Sequence, residues 1–168
     1  MKAAIHLIMV KNLCYKYNTE LTSMFIIFDK KKMYPEEIYS PMKAELTDIG
    51  FQDLLTSDDV KNVLNKKGTT LIVVNSVCGC AAANARPAVK ISLSNPIIPD
   101  NLATVFAGVD REATETARSN MVPFPPSSPS IALFKDGELI HMIERHHIEG
   151  RSAEMIADNL ISAFNENC

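Results

Sequence analysis

The stretch from Thr69 to Arg86 constrains this chain more than any other. Thr69-Thr70-Leu71-Ile72-Val73-Val74-Asn75 is short, apolar and rich in β-branched residues, so it reads as a buried strand. Ala81-Ala82-Ala83-Asn84-Ala85-Arg86 reads as the opening of a helix. Val77-Cys78-Gly79-Cys80 lies between them, so two cysteines sit where a strand hands over to a helix. The unpaired N–H groups of a helix start carry partial positive charge and favour thiolate over thiol. Gly79 is expected to let the backbone turn sharply and approach a partner. Cysteines this close can reach disulfide range, although the small ring should be strained and easily reduced. The pattern points to thiol–disulfide chemistry.

Two other readings compete. Free cysteines often only pack in a core. Cys-x-Cys can also supply two soft metal ligands. His141, His146 and His147 are the remaining residues that could complete a zinc or copper site with Cys78 and Cys80. No spacing signal links them to the cysteines, so they are read as surface or loop histidines.

A chain of 168 residues suits one domain with a real core. The net charge of -3 gives no reason to expect a nucleic-acid partner. No apolar run is long enough to span a bilayer. The four cysteines, Cys14, Cys78, Cys80 and Cys168, do not form the framework of a small secreted domain. A reducing cytosol is therefore expected. Residues 1–32 differ from the rest, with six lysines against Glu20 and Asp29, a net of +4 that leaves -7 for the remainder. His6 interrupts the apolar segment near the start and no small-residue cleavage site follows, so an export signal is not expected. Met33 reads as the biological start, with residues 1–32 as an extension or a start-site artefact. The alternative is an extra strand or helix over residues 23–28.

From Pro35 the pattern turns helical, with Ile38, Met42, Leu46 and Ile49 on one face. Pro41 predicts a start or kink there with Ser40 as cap, and Gly50 predicts the end. Thr56-Ser57-Asp58-Asp59 opens a second helix with Val60, Val63 and Leu64 inward. Pro87 should kink the helix after the cysteines. Residues 102–107 read as a strand, and Asp110 or a neighbour should cap a helix from Arg111 to about Ser119. Residues 131–134 and 139–143 read as antiparallel strands joined at Asp136-Gly137. Residues 145–150 read as a loop before a last helix with Met155, Ile156, Leu160 and Phe164 inward. The order predicts an α/β fold, a mixed central sheet flanked by helices.

That order, the redox motif after the first core strand and the segment from Pro129 to Glu138 resemble the thioredoxin superfamily. More narrowly, the residues from Val73 to Ala82, Ala85-Arg86-Pro87, Phe106-Ala107-Gly108, the segment from Pro126 to Ser130, and Arg145-His146 with Ile148-Glu149-Gly150 resemble the bacilliredoxin family. The likeness runs from about Met33 to Cys168, as one thioredoxin-like domain over residues 33–168. It implies a thiol–disulfide oxidoreductase that removes bacillithiol from S-bacillithiolated proteins, with isomerase activity also ascribed to members. Cys78 would attack and carry the bacillithiol, and Cys80, expected to be less accessible, would resolve it. Bacillithiol would be the co-substrate, with no cofactor or resident metal. A cis Ser128–Pro129 bond would face the Cys-Gly-Cys turn, keep metal out and present the Ser128 backbone to a disulfide. Gly79, Ser128 and Pro129 are thus the implied substrate contacts. Val77 and Ile72 stand where thioredoxin has tryptophan and a buried aspartate, which favours exchange or isomerisation over bulk reduction. Arg86 and Arg145 are read as solvated arginines, with the bacillithiol carboxylate as an alternative partner. The rival function is a metal-binding or metal-delivery module built on Cys-Gly-Cys.

A chain beginning at Met33 is expected to keep a single cooperative thermal unfolding transition. Loss of that transition in calorimetry would make residues 1–32 part of the core.

Overall fold

The computed structural model describes residues 33–168. The expected extension and Cys14 lie outside the described residues. Helix α1 spans Glu36–Thr47, followed by a short strand β1 at Gln52–Asp53 and helix α2 at Ser57–Leu64. Strand β2 spans Thr69–Asn75 and passes through the cysteine turn into a π-helical turn, Ala81–Ala85, and helix α3, Arg86–Ser92. Strand β3 (Asn101–Phe106) and helix α4 (Arg111–Ser119) follow. The chain closes with β4 (Ser130–Lys135), β5 (Glu138–Ile143), the one-turn helix α5 (Arg145–Ile148) and helix α6 (Ala153–Asn167).

The five strands form one sheet in the order β1-β3-β2-β4-β5. β3 runs parallel to β1 and β2, while β4 is antiparallel to β2 and β5. This is the mixed sheet expected from the sequence. β2 is buried along its whole length because both of its faces are covered. Leu71 and Val73 point to one layer, with Leu46 of α1, Ala88 and Val89 of α3, and Ile156, Leu160 and Phe164 of α6. Ile72 and Val74 point to the other, with Val60, Val63 and Leu64 of α2 and Ala113 and Ala117 of α4. The two-residue alternation of a strand thus splits one apolar run between two cores. The hairpin between β4 and β5 turns at Asp136 and Gly137, both with positive φ, as the Asp-Gly signal predicts.

Several expectations change. Helix α1 runs through Pro41 instead of starting at it, and Pro35 precedes its first turn. Tyr39 and Leu46 are its buried residues, whereas Ile38 is exposed. β1 was not visible because two residues carry no period. Thr56 does cap α2: its Oγ1 accepts from the Asp59 N–H at 3.1 Å, and Asp59 returns the bond to the Thr56 N–H at 2.9 Å. Asp110 precedes α4 but does not cap it with its side chain. Its carboxylate instead accepts from the Phe106 N–H and pairs with Lys43 at 2.6 Å. Residues 145–148 form a turn of helix where a loop was expected, and Met155 faces outward while Ala157 and Ala163 are buried.

Gly68 immediately precedes β2 with φ +89°, and a β-carbon there would run into the Asp100 carboxylate. That carboxylate accepts from the Thr69 N–H at 2.7 Å and from its Oγ1 at 2.9 Å. Gly68→Ala is expected to cost roughly 1–3 kcal/mol. An unchanged urea midpoint would show that this junction does not limit stability.

Candidate active site

The turn after β2 rests on a buried arginine. Arg86 is 3% exposed. Its Nη1 donates to Asn75 Oδ1 at 3.1 Å and to the Ser76 carbonyl at 3.2 Å, and its Nε donates to Glu45 at 2.7 Å. Asn75 Oδ1 also accepts the Ser76 N–H at 2.8 Å, and its Nδ2 donates to the Met42 carbonyl at 3.0 Å. A guanidinium this deep is tolerable only because it is paired and hydrogen-bonded. Local geometry aims it there. Pro87 offers no N–H to a regular helix, and the preceding turn is π-helical, with the Arg86 N–H reaching back to the Ala81 carbonyl. Helical side chains lean toward the N-terminus, so Arg86 points back under the turn. It is therefore neither a solvated arginine nor placed to greet a ligand carboxylate.

The chain becomes helical at Gly79 and Cys80. The Cys78 carbonyl accepts the Ala82 N–H at 3.2 Å, and Cys78 Sγ lies 3.4 Å from the Ala81 nitrogen that donates to it. Ser76 Oγ donates to the same sulfur at 3.3 Å. The two sulfurs are 2.6 Å apart, with one able to donate to the other. Burial pushes the Cys78 thiol up, but the bonds from Cys80, Ser76 and the Ala81 amide, with the charge of Arg145, outweigh it and hold it below the usual thiol range. Burial pushes Cys80 up, and its hydrogen bond to Cys78 and the negative charge beside it push the same way. Both cysteines are half-buried, so the expected difference in access is replaced by a difference in hydrogen bonding.

Ser128–Pro129 is cis, as the resemblance implies, and so is Val122–Pro123. The Ser128 carbonyl accepts from Arg145 Nη1 at 3.1 Å. Arg145 is tied to Glu149 through Nε at 3.1 Å and Nη2 at 2.7 Å, and its charge acts on both cysteines. α5 thus joins the segment before β4 to the thiol pair. Gly79 is exposed, is not among the residues with positive φ, and a β-carbon there would meet nothing within 4 Å. Its conformation does not demand glycine, contrary to the expected sharp turn; what it leaves is open space on the helix start.

The histidines do not gather at the cysteines. His141 hydrogen-bonds Asn159 at 2.8 Å. Among the described residues, the group able to hold a metal is Glu144, His146 and His147, which contains neither cysteine. Sequence reasoning missed Ser76 and the burial of Arg86. The polar pair Asn75-Ser76 at the end of an apolar strand was the available signal. Nothing periodic marks a lone buried arginine.

The chain matches the family described as disulphide isomerase over residues 34–168. A bacilliredoxin of Cytophaga hutchinsonii is 57% identical over 134 residues, which cover 80% of this chain and 99% of the relative. A bacilliredoxin of Halalkalibacterium halodurans is 50% identical over 136 residues, covering 80% and 94%. One from Staphylococcus aureus is 45% identical over 136 residues, covering 81% and 94%. Among solved structures, a protein described as having a thioredoxin fold aligns with a TM-score of 0.52 at 15% identity, over 66% of this chain and 90% of its own. The thioredoxin-like domain of Arabidopsis NCP aligns with a TM-score of 0.50 at 13% identity, over 70% and 79%. The fold is thioredoxin-like.

The opposed thiols predict an order of reaction with an alkylating agent. A thiol whose pKa is lowered is already thiolate at a pH where one whose pKa is raised is still protonated. Cys78 should be modified before Cys80 near neutral pH, and the preference should shrink as pH rises and Cys80 ionises. Peptide mapping after brief iodoacetamide exposure checks this; equal labelling at neutral pH would contradict it.

Proposed function

This chain belongs to the bacilliredoxin family, and on that premise we propose that it removes bacillithiol from S-bacillithiolated proteins through Cys78. The Cys78 thiolate attacks the bacillithiol sulfur of the mixed disulfide. The protein thiolate leaves and takes up a proton, and bacillithiol is now joined to Cys78. Cys80 then loses its proton and attacks Cys78 Sγ, expelling bacillithiol as a thiolate and leaving a Cys78–Cys80 disulfide. An external thiol reductant returns the pair to the starting state. The observation that carries this reading is the opposite perturbation of two thiols whose sulfurs are 2.6 Å apart. One is prepared to attack, and the other keeps its proton until the mixed disulfide has formed.

The open space at Gly79 and the backbone of Ser128 beside the cis Pro129 are assigned to the approaching disulfide substrate. Bacillithiol is co-substrate, and no cofactor enters the cycle. The working unit is residues 33–168. The setting is the cytoplasm, where a reducing thiol pool returns both cysteines to thiols. Disulfide isomerisation is a second reading, favoured by the matched family's description and by buried, apolar Ile72 in β2, where thioredoxin has an aspartate. Isomerisation needs only the Cys78 attack and its reversal, without net electron flow.

Cys80→Ala should trap bacillithiol on Cys78 after one turnover and then stall until another thiol releases it. Cys78→Ala should form no adduct and release none. Mass spectrometry with peptide mapping decides between them. Bacillithiol found on Cys80 in Cys78→Ala, with de-bacillithiolation retained, would reverse the two roles.

A further inference from the structure

Ser76 is the last residue before the cysteine turn, and it is buried. Its backbone is held at both ends, the N–H by Asn75 Oδ1 and the carbonyl by Arg86 Nη1. Its hydroxyl lies 3.3 Å from Cys78 Sγ and makes no other hydrogen bond among the described residues. We propose that Ser76 is a catalytic hydrogen-bond donor to the Cys78 sulfur, and that Arg86 is the positioning residue that aims it. The proposal rests on the reading of Cys78 as the attacking thiolate.

A thiol or disulfide sulfur is a weak acceptor, while a thiolate is a charged one. The Ser76 bond therefore strengthens whenever Cys78 carries the negative charge. That happens twice in the cycle. Cys78 is thiolate before it attacks. It is thiolate again when a reductant attacks Cys80 Sγ in the internal disulfide and Cys78 leaves with the bonding electron pair. Cys80 cannot give the same help at the second step, because its sulfur is then bonded to the reductant and has no proton to share. Ser76 can, because its position does not depend on the redox state of Cys80. It donates to Cys78 and to no other sulfur, so it also helps select which thiol ionises first.

Arg86 fixes this geometry through a planar fork that lysine does not reproduce. Nη1 spans the Asn75 side chain and the Ser76 carbonyl, while Nε reaches Glu45 on α1. The Asn75 side chain and the Ser76 carbonyl are thereby tied to α1 behind the turn.

The test is the pH profile of Cys78 alkylation by iodoacetamide in the full chain, with the modified residue identified by peptide mapping. A Cys80→Ala background removes the bond from Cys80 and isolates the hydroxyl. There, Ser76→Ala should raise the midpoint by about one pH unit, a tenfold loss of thiolate near neutrality. Ser76→Thr keeps a hydroxyl and should restore the profile. Arg86→Lys should shift it in the same direction as Ser76→Ala, and should add nothing once Ser76 is already alanine. If Arg86→Lys does not unfold cooperatively, Glu45→Gln, at the half-exposed end of the same chain of bonds, carries that arm with a smaller shift. A Ser76→Ala profile that superimposes on its parent, or a shift that threonine does not restore, would overturn the proposal alone. Alkylation of Cys80 ahead of Cys78 in the unmutated chain would overturn the functional reading and the proposal together.

Discussion

The guanidinium of Arg86 is the constraint on which the rest of the site depends. A buried cation without partners costs several kcal/mol, so its acceptors are not free to wander. Three of them are the Asn75 side chain, the Ser76 carbonyl and Glu45. They come from the end of β2, the start of the turn and α1, so one charge ties three elements together. Asn75 in turn holds the Met42 carbonyl of α1. The sulfurs sit on top of this arrangement. Their geometry follows from the polar floor beneath them, and the floor is there because a positive charge was placed inside the fold.

What the sequence made legible follows from how local each signal is. β2 was readable to its ends because a run rich in β-branched residues lies between Gly68 and the cysteine turn. The hairpin was readable because Asp136-Gly137 meets a backbone requirement of its own. α2 was readable because Thr56 and Asp59 satisfy each other's orphan donors without help from the rest of the chain. The failures needed tertiary information. α1 passes Pro41 because packing of Tyr39 and Leu46 outweighs one missing hydrogen bond. Asp110 gives up capping for a buried pair with Lys43, which also binds Asp53 at 2.8 Å. Burial pushes the Asp110 carboxyl up, and Lys43 offsets only part of that. At the site, the two cysteines were legible as a pair. The buried role of Arg86 was not, because a single arginine on a helix gives no sign of which way it points.

The charge of Arg145 does not separate the two thiols. Arg145 lowers both, so its field favours ionisation without choosing where. Glu149, bound to the same arginine, opposes ionisation of Cys80. The larger distinction is directional. Cys78 is the sulfur that receives donors from Ser76 and from the Ala81 amide, while either sulfur can donate in the bond between the two cysteines.

The one-residue spacing explains why those donors converge on Cys78. With helix beginning at Gly79, Cys78 occupies the position that caps it. Its carbonyl takes the first helical bond from Ala82, and its sulfur accepts from Ala81, three residues on. A serine or aspartate oxygen makes the same bond at ordinary helix starts. A thiolate is the charged form of that cap, and the partial positive charge of the helix start favours it. Cys80, two residues further, lies inside the first turn, and the first-turn amide that bonds a sulfur, that of Ala81, goes to Cys78. A single intervening glycine thus puts one sulfur at the cap and the other within the turn. The same spacing keeps them close enough to bond. Identical side chains acquire different acidities because only one of them stands where the helix needs an acceptor.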